Sequence, residues 1–399
     1  MTTRSTLAQR NIFHGWFVVA AAFAVMFVGF GSAYTFSAFL EPLQRDFGAS
    51  RGSISLVFSI AGFLYFALGL VSGPLADRFG SRPLAVAGMI LVAVGLAAAS
   101  AARSVVEVYL AYGLGVGLGV GCAYVPAIGA VQRWFVRRRG FASGLAVSGI
   151  GLGTLAMPPL ASLLIASVGW RGAYLVLGAI ALVLGGGMSL LIENDPKHRG
   201  LGPDGDPPRD AAGANNAGGA SVREAIRSTR FVALYLSCLV CSFGAFVPFV
   251  HLAPYARDHG VAASSAVLLL GVIGAGSTAG RFFLGALADR MGRDRALIMV
   301  LTGMALAMTI FYGGWVAVLP SVVMDYFGGR NVGGIIGILY TSVAFGTLIG
   351  PSAAGFAYDD NHSYTMPILI SAAANIVAAL IVVAILARSG TRAISAATR

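Results

Sequence analysis

"GPLADRFGSR" at 73–82 and "GALADRMGRD" at 285–294 decide how this chain is read. Both carry G-x-L-A-D-R-x-G, 212 residues apart. A second pair keeps that offset: "EPLQRDFG", ending at Gly48, returns as "APYARDHG", ending at Gly260. Two matches at one offset mark an internal duplication. Outward from each copy the sequence is apolar in runs of about twenty, the length a helix needs to cross hydrocarbon. The predicted spans are 15–40, 54–74, 83–101, 106–132, 140–166 and 171–192, then 231–256, 263–286, 332–357 and 363–387. The first run is too long for the apolar core of a signal peptide and no cleavage site follows it, so a retained helix is expected.

Composition agrees. Of 399 residues, 57% are hydrophobic and 11% charged, against about 25% charged in soluble domains, and the mean hydropathy is +0.81. These values exclude a soluble enzyme, a nucleic-acid binder and a disordered chain, and imply an all-α polytopic membrane protein that is not an enzyme. The net charge of +11 lies in short basic clusters between apolar runs, which reads as membrane topology. No cofactor or metal is expected: Cys238 and Cys241 form a C-x-x-C inside an apolar run, without polar flanks or a second pair. "GLGVGLGVG" at 113–121 lacks a preceding soluble strand, so its glycines read as close helix packing, not as a nucleotide loop.

Residues 194–230 interrupt the apolar pattern. Their Pro, Gly, Asp and Asn content predicts a flexible cytoplasmic linker between an N-terminal bundle, 1–193, and a C-terminal one, 231–399. Ser221 with Glu224 three residues on predicts a capping box opening a short interfacial helix. With the linker cytoplasmic, twenty-one of the 27 basic residues fall on its side. Arg45, Arg51, Arg103, Arg171 and Arg257 fall outside, and Arg281 remains in the membrane. That bias predicts cytoplasmic termini. Parallel six-helix repeats joined by such a linker resemble the major facilitator superfamily, which implies two six-helix bundles. Between Asp294 and Tyr326 the second copy is about twenty residues shorter than the first, so helices 9 and 10 are expected as a truncated pair.

Three groups of polar residues stand out. Asp77 with Arg78 and Asp289 with Arg290 sit at inner helix ends, where a carboxylate can meet helix dipoles and arginines and latch an inner gate. Arg281, in "LLLGVIGAGSTAGRFFLGAL", has no acidic residue in its helix, and its repeat mate is Gly69. A central charge costs on the order of 2.5–3.5 kcal/mol to insert, so an arginine facing a polar cavity suggests a receptor for a carboxylate; the alternative is snorkelling to the inner interface. His251, on helix 7, titrates near neutrality and is a candidate for proton coupling or substrate contact, or else a satisfied core histidine. Asp258, near the outer mouth, is a candidate gate or proton entry, though its twin Asp46 argues equally for a structural role. Tyr34, Tyr124 and Tyr340 lie mid-helix and could line the cavity or simply pack. Asn331 reads as a helix cap.

"WFVRRRGFASGLAVSGIG" at 134–151 and "HGWFVV" at 14–19 resemble signatures of the monocarboxylate transporter family and its bacterial oxalate/formate-exchanger relatives. The resemblance implies that Arg281 binds the substrate carboxylate. Where family members carry an acidic residue a turn earlier this chain has Ser277, and where they carry a first-helix lysine it has Tyr34. The exchangers' second cation is absent, Leu339 and Tyr340 standing there. One cavity cation favours a monocarboxylate over a dianion. The resemblance therefore implies a proton-coupled symporter of lactate- or pyruvate-like acids, monomeric, in a bacterial inner membrane. The alternatives are anion exchange of the oxalate/formate type, or a transport-dead membrane sensor.

Overall fold

The computed structural model describes residues 13–207, 219–328 and 331–397. Apart from one isolated bridge, Gly219 with Gly328, the described residues are helices, turns and connections. The first crossing is Gly15–Tyr34 continued by Phe36–Phe47, and the second Arg51–Ala67 continued by Gly69–Phe79. Ser81–Ser100 forms the third and Gly115–Trp134, with a preceding π-helical turn, the fourth. One long helix, Arg139–Ile180, supplies the fifth and sixth, broken at Gly169, whose φ of 73° ends one crossing and starts the next. Thr229–Ala245 and Val247–Asp258 form the seventh, Ala263–Met291 the eighth, Val332–Asn361 the eleventh and Thr365–Ala397 the twelfth.

Glycines set the spacing, as the run at 113–121 predicts. A Cβ on Gly119 would lie 2.6 Å from the Gly88 carbonyl oxygen, so the third and fourth crossings pack backbone to backbone. Among the five arginines assigned to the outer side, Arg171 pairs with Asp46 and bonds the Ala102 carbonyl, while Arg45 and Arg257 meet at Glu41.

The shortened region is a helical pair, but the deficit falls on one member. The ninth segment, Arg293–Leu306, has 14 residues, whereas the tenth, Met308–Phe327, keeps 20. They form an antiparallel hairpin about Ala307, whose extended backbone makes the turn. Arg293 pairs with Asp325 and Tyr326 donates to Asp294 at 2.6 Å, fixing the open end. Fourteen residues rise only about 21 Å, short of the ~30 Å hydrocarbon core. The apex meets the eighth crossing near its midpoint: a Cβ on Gly276 would touch Thr309. The hairpin still returns the chain to its starting side, so Val332 begins where the positive-inside bias requires.

The linker departs from expectation. Residues 193–206 are pinned to the first bundle's inner face, because their carboxylates find its arginines. Glu193 pairs with the bundle's Arg82 at 3.3 Å and with the linker's own Arg199 at 2.7 Å, and its backbone carbonyl accepts from the Trp134 indole. Asp204 accepts from the backbone N–H groups of Val136 and Arg137. Residues 208–218 lie outside the described part. Beyond them the capping box of Ser221 and Glu224 forms as expected and opens Val222–Arg227. Asn331 stands at the cap position, but its amide instead donates to the Ala220 carbonyl at 3.1 Å, fastening the linker's end to the eleventh crossing.

Candidate functional site

A small, mostly apolar cavity lies between the bundles. Phe30 and Tyr34 line it from the first crossing, Phe66 from the second, Tyr124 from the fourth and Ile150 from the fifth. Arg281 enters from the eighth, Tyr312, Trp315, Val316 and Leu319 from the tenth, and Tyr340 and Val343 from the eleventh. No acidic side chain is among these residues. Arg281 is only 7% exposed, so it is not snorkelling.

The seating of Arg281 follows from the fifth-helix signature. A Cβ on Gly151 would lie 3.1 Å from Arg281 Nη1 and overlap the Thr278 hydroxyl, so only glycine admits the eighth crossing there. Nη1 then donates to the Val147 carbonyl at 3.2 Å. Among the described residues Nε and Nη2 have no hydrogen-bond partner. Those two nitrogens share one edge of the guanidinium, the edge that engages a carboxylate with two parallel bonds. Buried unpaired donors are expensive, and no described residue supplies this pair with an acceptor. The Trp315 indole N–H in the same wall also lacks a partner.

Of the predicted cavity residues, Tyr34, Tyr124 and Tyr340 are where the reading put them. Tyr34 meets Tyr312 hydroxyl to hydroxyl at 3.4 Å and stacks on Phe249 with 4.4 Å between centroids, linking the halves. Ser277 does not line the cavity: its backbone meets the tenth helix, where a Cβ on Gly313 would overlap the Ser277 carbonyl, and its hydroxyl is buried without a partner. His251 is also elsewhere. Its ring nitrogens are engaged with Tyr364, Pro351 and Ser55, and it does not line the cavity around Arg281.

At the outer end the two halves meet at Arg51. Its guanidinium makes two bonds to Asp258, at 2.6 and 2.9 Å, and a third to Tyr364 at 3.2 Å. It also lies 3.9 Å over the Tyr358 ring. The Asp359 carboxylate accepts from the backbone N–H groups of Arg51 and Gly52, capping the second crossing from the opposite half. Burial pushes the Tyr364 hydroxyl up to about 12, so it stays a donor. Asp258 thus pairs with Arg51 across the halves, and Arg51, Tyr364, Tyr312 and Trp315 are residues that the sequence reading did not single out. An arginine in a helix's first turn opposes the macrodipole; at Arg51 that signal could have been read.

At the inner end, among the described residues, no ion pair joins the halves. Asp289 and Arg290 are exposed, and among the described residues Asp289 pairs with Arg293, four residues on at the start of the ninth segment, at 3.9 Å. Arg78 is exposed over Phe79, and the side chain of Asp77 lies outside the described part. Both ion pairs that join the halves among the described residues, Arg51 with Asp258 and Arg257 with Glu41, are at the outer end.

Comparison with known proteins agrees with this architecture. A family model described as the Major Facilitator Superfamily matches residues 21–317. The chain is 30% identical over 385 residues to monocarboxylate transporter 11 of Homo sapiens, covering 90% of this chain and 80% of that protein. It is 32% identical over 283 residues to the MFS-type transporter pytF of Aspergillus terreus, covering 70% and 91%. Among solved structures it resembles a bacterial homologue of the human lysosomal transporter Spinster, with a TM-score of 0.69, 16% identity and coverage of 94% and 95%.

Proposed function

The chain belongs to the major facilitator superfamily, and within it to the monocarboxylate transporter family; from that premise we propose that it carries a small monocarboxylate, lactate- or pyruvate-like, together with a proton. The observation that carries the proposal is the unpartnered Nε and Nη2 edge of Arg281 in an aromatic cavity without acids. One guanidinium takes one carboxylate. A dianion would keep an uncompensated charge in a low dielectric. The walls of Phe30, Val316 and Leu319 suit a short organic tail.

Alternating access follows from the same charge. An empty cavity holds a costly lone cation. A bound carboxylate neutralises it, so the loaded carrier can close dry around the pair and rock. The hairpin's short ninth member supports transport over a merely sensory role, because the tenth helix keeps Tyr312, Trp315, Val316 and Leu319 in the wall. We read the linker and both termini as cytoplasmic, which the basic bias supports, and the carrier as a monomer in a bacterial inner membrane.

Uptake of labelled lactate and pyruvate into proteoliposomes tests this. Arg281→Ala should insert normally and lose uptake almost completely; unchanged uptake removes the proposal. Collapsing the pH gradient should abolish accumulation by the wild type. Counter-substrate-driven uptake that survives the collapse would mark an exchanger instead.

A further inference from the structure

The hydrogen bonds around His251 run in one direction. Nε2 lies 2.8 Å from the Pro351 carbonyl, which can only accept, so Nε2 carries the proton and donates. With the ring neutral, Nδ1 accepts, and the Tyr364 hydroxyl 2.8 Å away donates to it. The Tyr364 oxygen in turn accepts from Arg51 at 3.2 Å, and Arg51 clasps Asp258. Ser55, 3.2 Å from Nε2, spends its own hydrogen on the Arg51 carbonyl at 2.6 Å. The closed gate is therefore a relay from Arg51 through Tyr364 to a neutral imidazole.

We infer that His251 is the proton-binding site of the outer gate, and that a proton arriving from outside at Nδ1 unlocks it. A protonated Nδ1 becomes a donor, so Tyr364 must reverse and take two N–H bonds from two cations. Its own hydrogen loses the acceptor it had. The charged groups facing this point from every packed element are Arg51 on the second crossing, Asp258 on the seventh and Asp359 on the eleventh. Both carboxylates are already committed, Asp258 to the Arg51 guanidinium and Asp359 to the N–H groups of Arg51 and Gly52. Neither is free to hold an imidazolium, so the closed arrangement binds fewer protons than the open, hydrated one. By linkage, acidification favours the open gate by up to tenfold per pH unit below the ordinary histidine range of about 6.5. Closure then requires the proton to leave His251, which ties the gate's cycle to proton movement.

This inference rests on the carrier reading but is tested without substrate. Spin labels at Ala101→Cys and Ala262→Cys, exposed at the outer ends of the two halves, report the gate by pulsed dipolar distance measurement in nanodiscs. In the full-length wild type, the long-distance population should grow as pH falls from 8 to 5.5. In His251→Gln, whose amide can still donate to Pro351, it should stay constant; His251→Asn is the second variant. A wild type without pH response, or a replacement that keeps the full response, overturns the inference. Loss of all monocarboxylate uptake with the pH response intact would instead defeat the transport reading alone.

Discussion

Replacing Arg281 by lysine keeps the charge but discards the two-pronged edge, so the substitution separates charge from geometry. One charge-assisted hydrogen bond contributes about 1.5–3 kcal/mol, and Arg281→Lys should therefore raise the uptake KM by at least about tenfold. Tyr34→Phe removes the 3.4 Å hydroxyl contact with Tyr312, a neutral bond of about 0.5–1.5 kcal/mol, for a two- to tenfold change. Glu193 behaves differently because its environment is ionic. The hydrogen bond from Arg199 holds its carboxyl below the usual value of 4.5, so its contribution is fully present above that value and lost as pH falls through the lowered one. Hydrogen exchange in residues 193–206 should stay slow from pH 8 to 5 and quicken only in stronger acid. Arg281 and the tyrosines of the first, fourth and eleventh crossings were legible as polar groups in apolar runs. Tyr312 and Trp315 were not, because they lie where the repeat register is lost. The relay through His251 was also hidden: its partners Ser55, Pro351 and Tyr364 are 100 or more residues away.

At the scale of elements, the approach of the eighth and tenth helices sets the height of Arg281. A Cβ on Gly280 would overlap the Ile310 carbonyl oxygen, which is backbone and cannot yield. Gly280→Ala should cost about 1–3 kcal/mol through overpacking and lower the melting temperature of detergent-solubilised protein. Gly144→Ala is the control: nothing lies within 4 Å of a Cβ there, so its thermal melt should be unchanged or slightly raised. The duplicated motif made the bundles legible as elements. The unequal hairpin was not, since a deficit of twenty residues can be shared between two helices in many ways and only packing against Gly276 and Gly280 chooses one. Composition likewise made 194–207 look mobile, because carboxylates that find arginines in three dimensions are indistinguishable in one from carboxylates that stay in water.

For the whole molecule, the two inter-half ion pairs at the outer end bias it toward one side of its cycle. Asp258→Asn removes the bidentate partner of Arg51 and should raise the outward-open fraction. Ala38 packs against the opposite half's Ala253, Ala256, Ala266 and Val267, so a cysteine at 38 is shielded while that end is shut. In a cysteine-free background, Asp258→Asn should speed maleimide labelling of Ala38→Cys severalfold at fixed pH; an unchanged rate would mean that Arg257 and Glu41 hold the end alone. The hairpin apex near Gly276 has a consequence for the surrounding lipid. Beside it the outer leaflet meets a wall roughly 9 Å lower than its neighbours, with Leu306 87% exposed at the crest. Acyl chains must shorten or bend to fill that notch, at a fraction of a kcal/mol per ångström. Such a carrier should work faster in vesicles of 14-carbon than of 20-carbon phospholipids, which makes membrane thickness a regulator of its turnover.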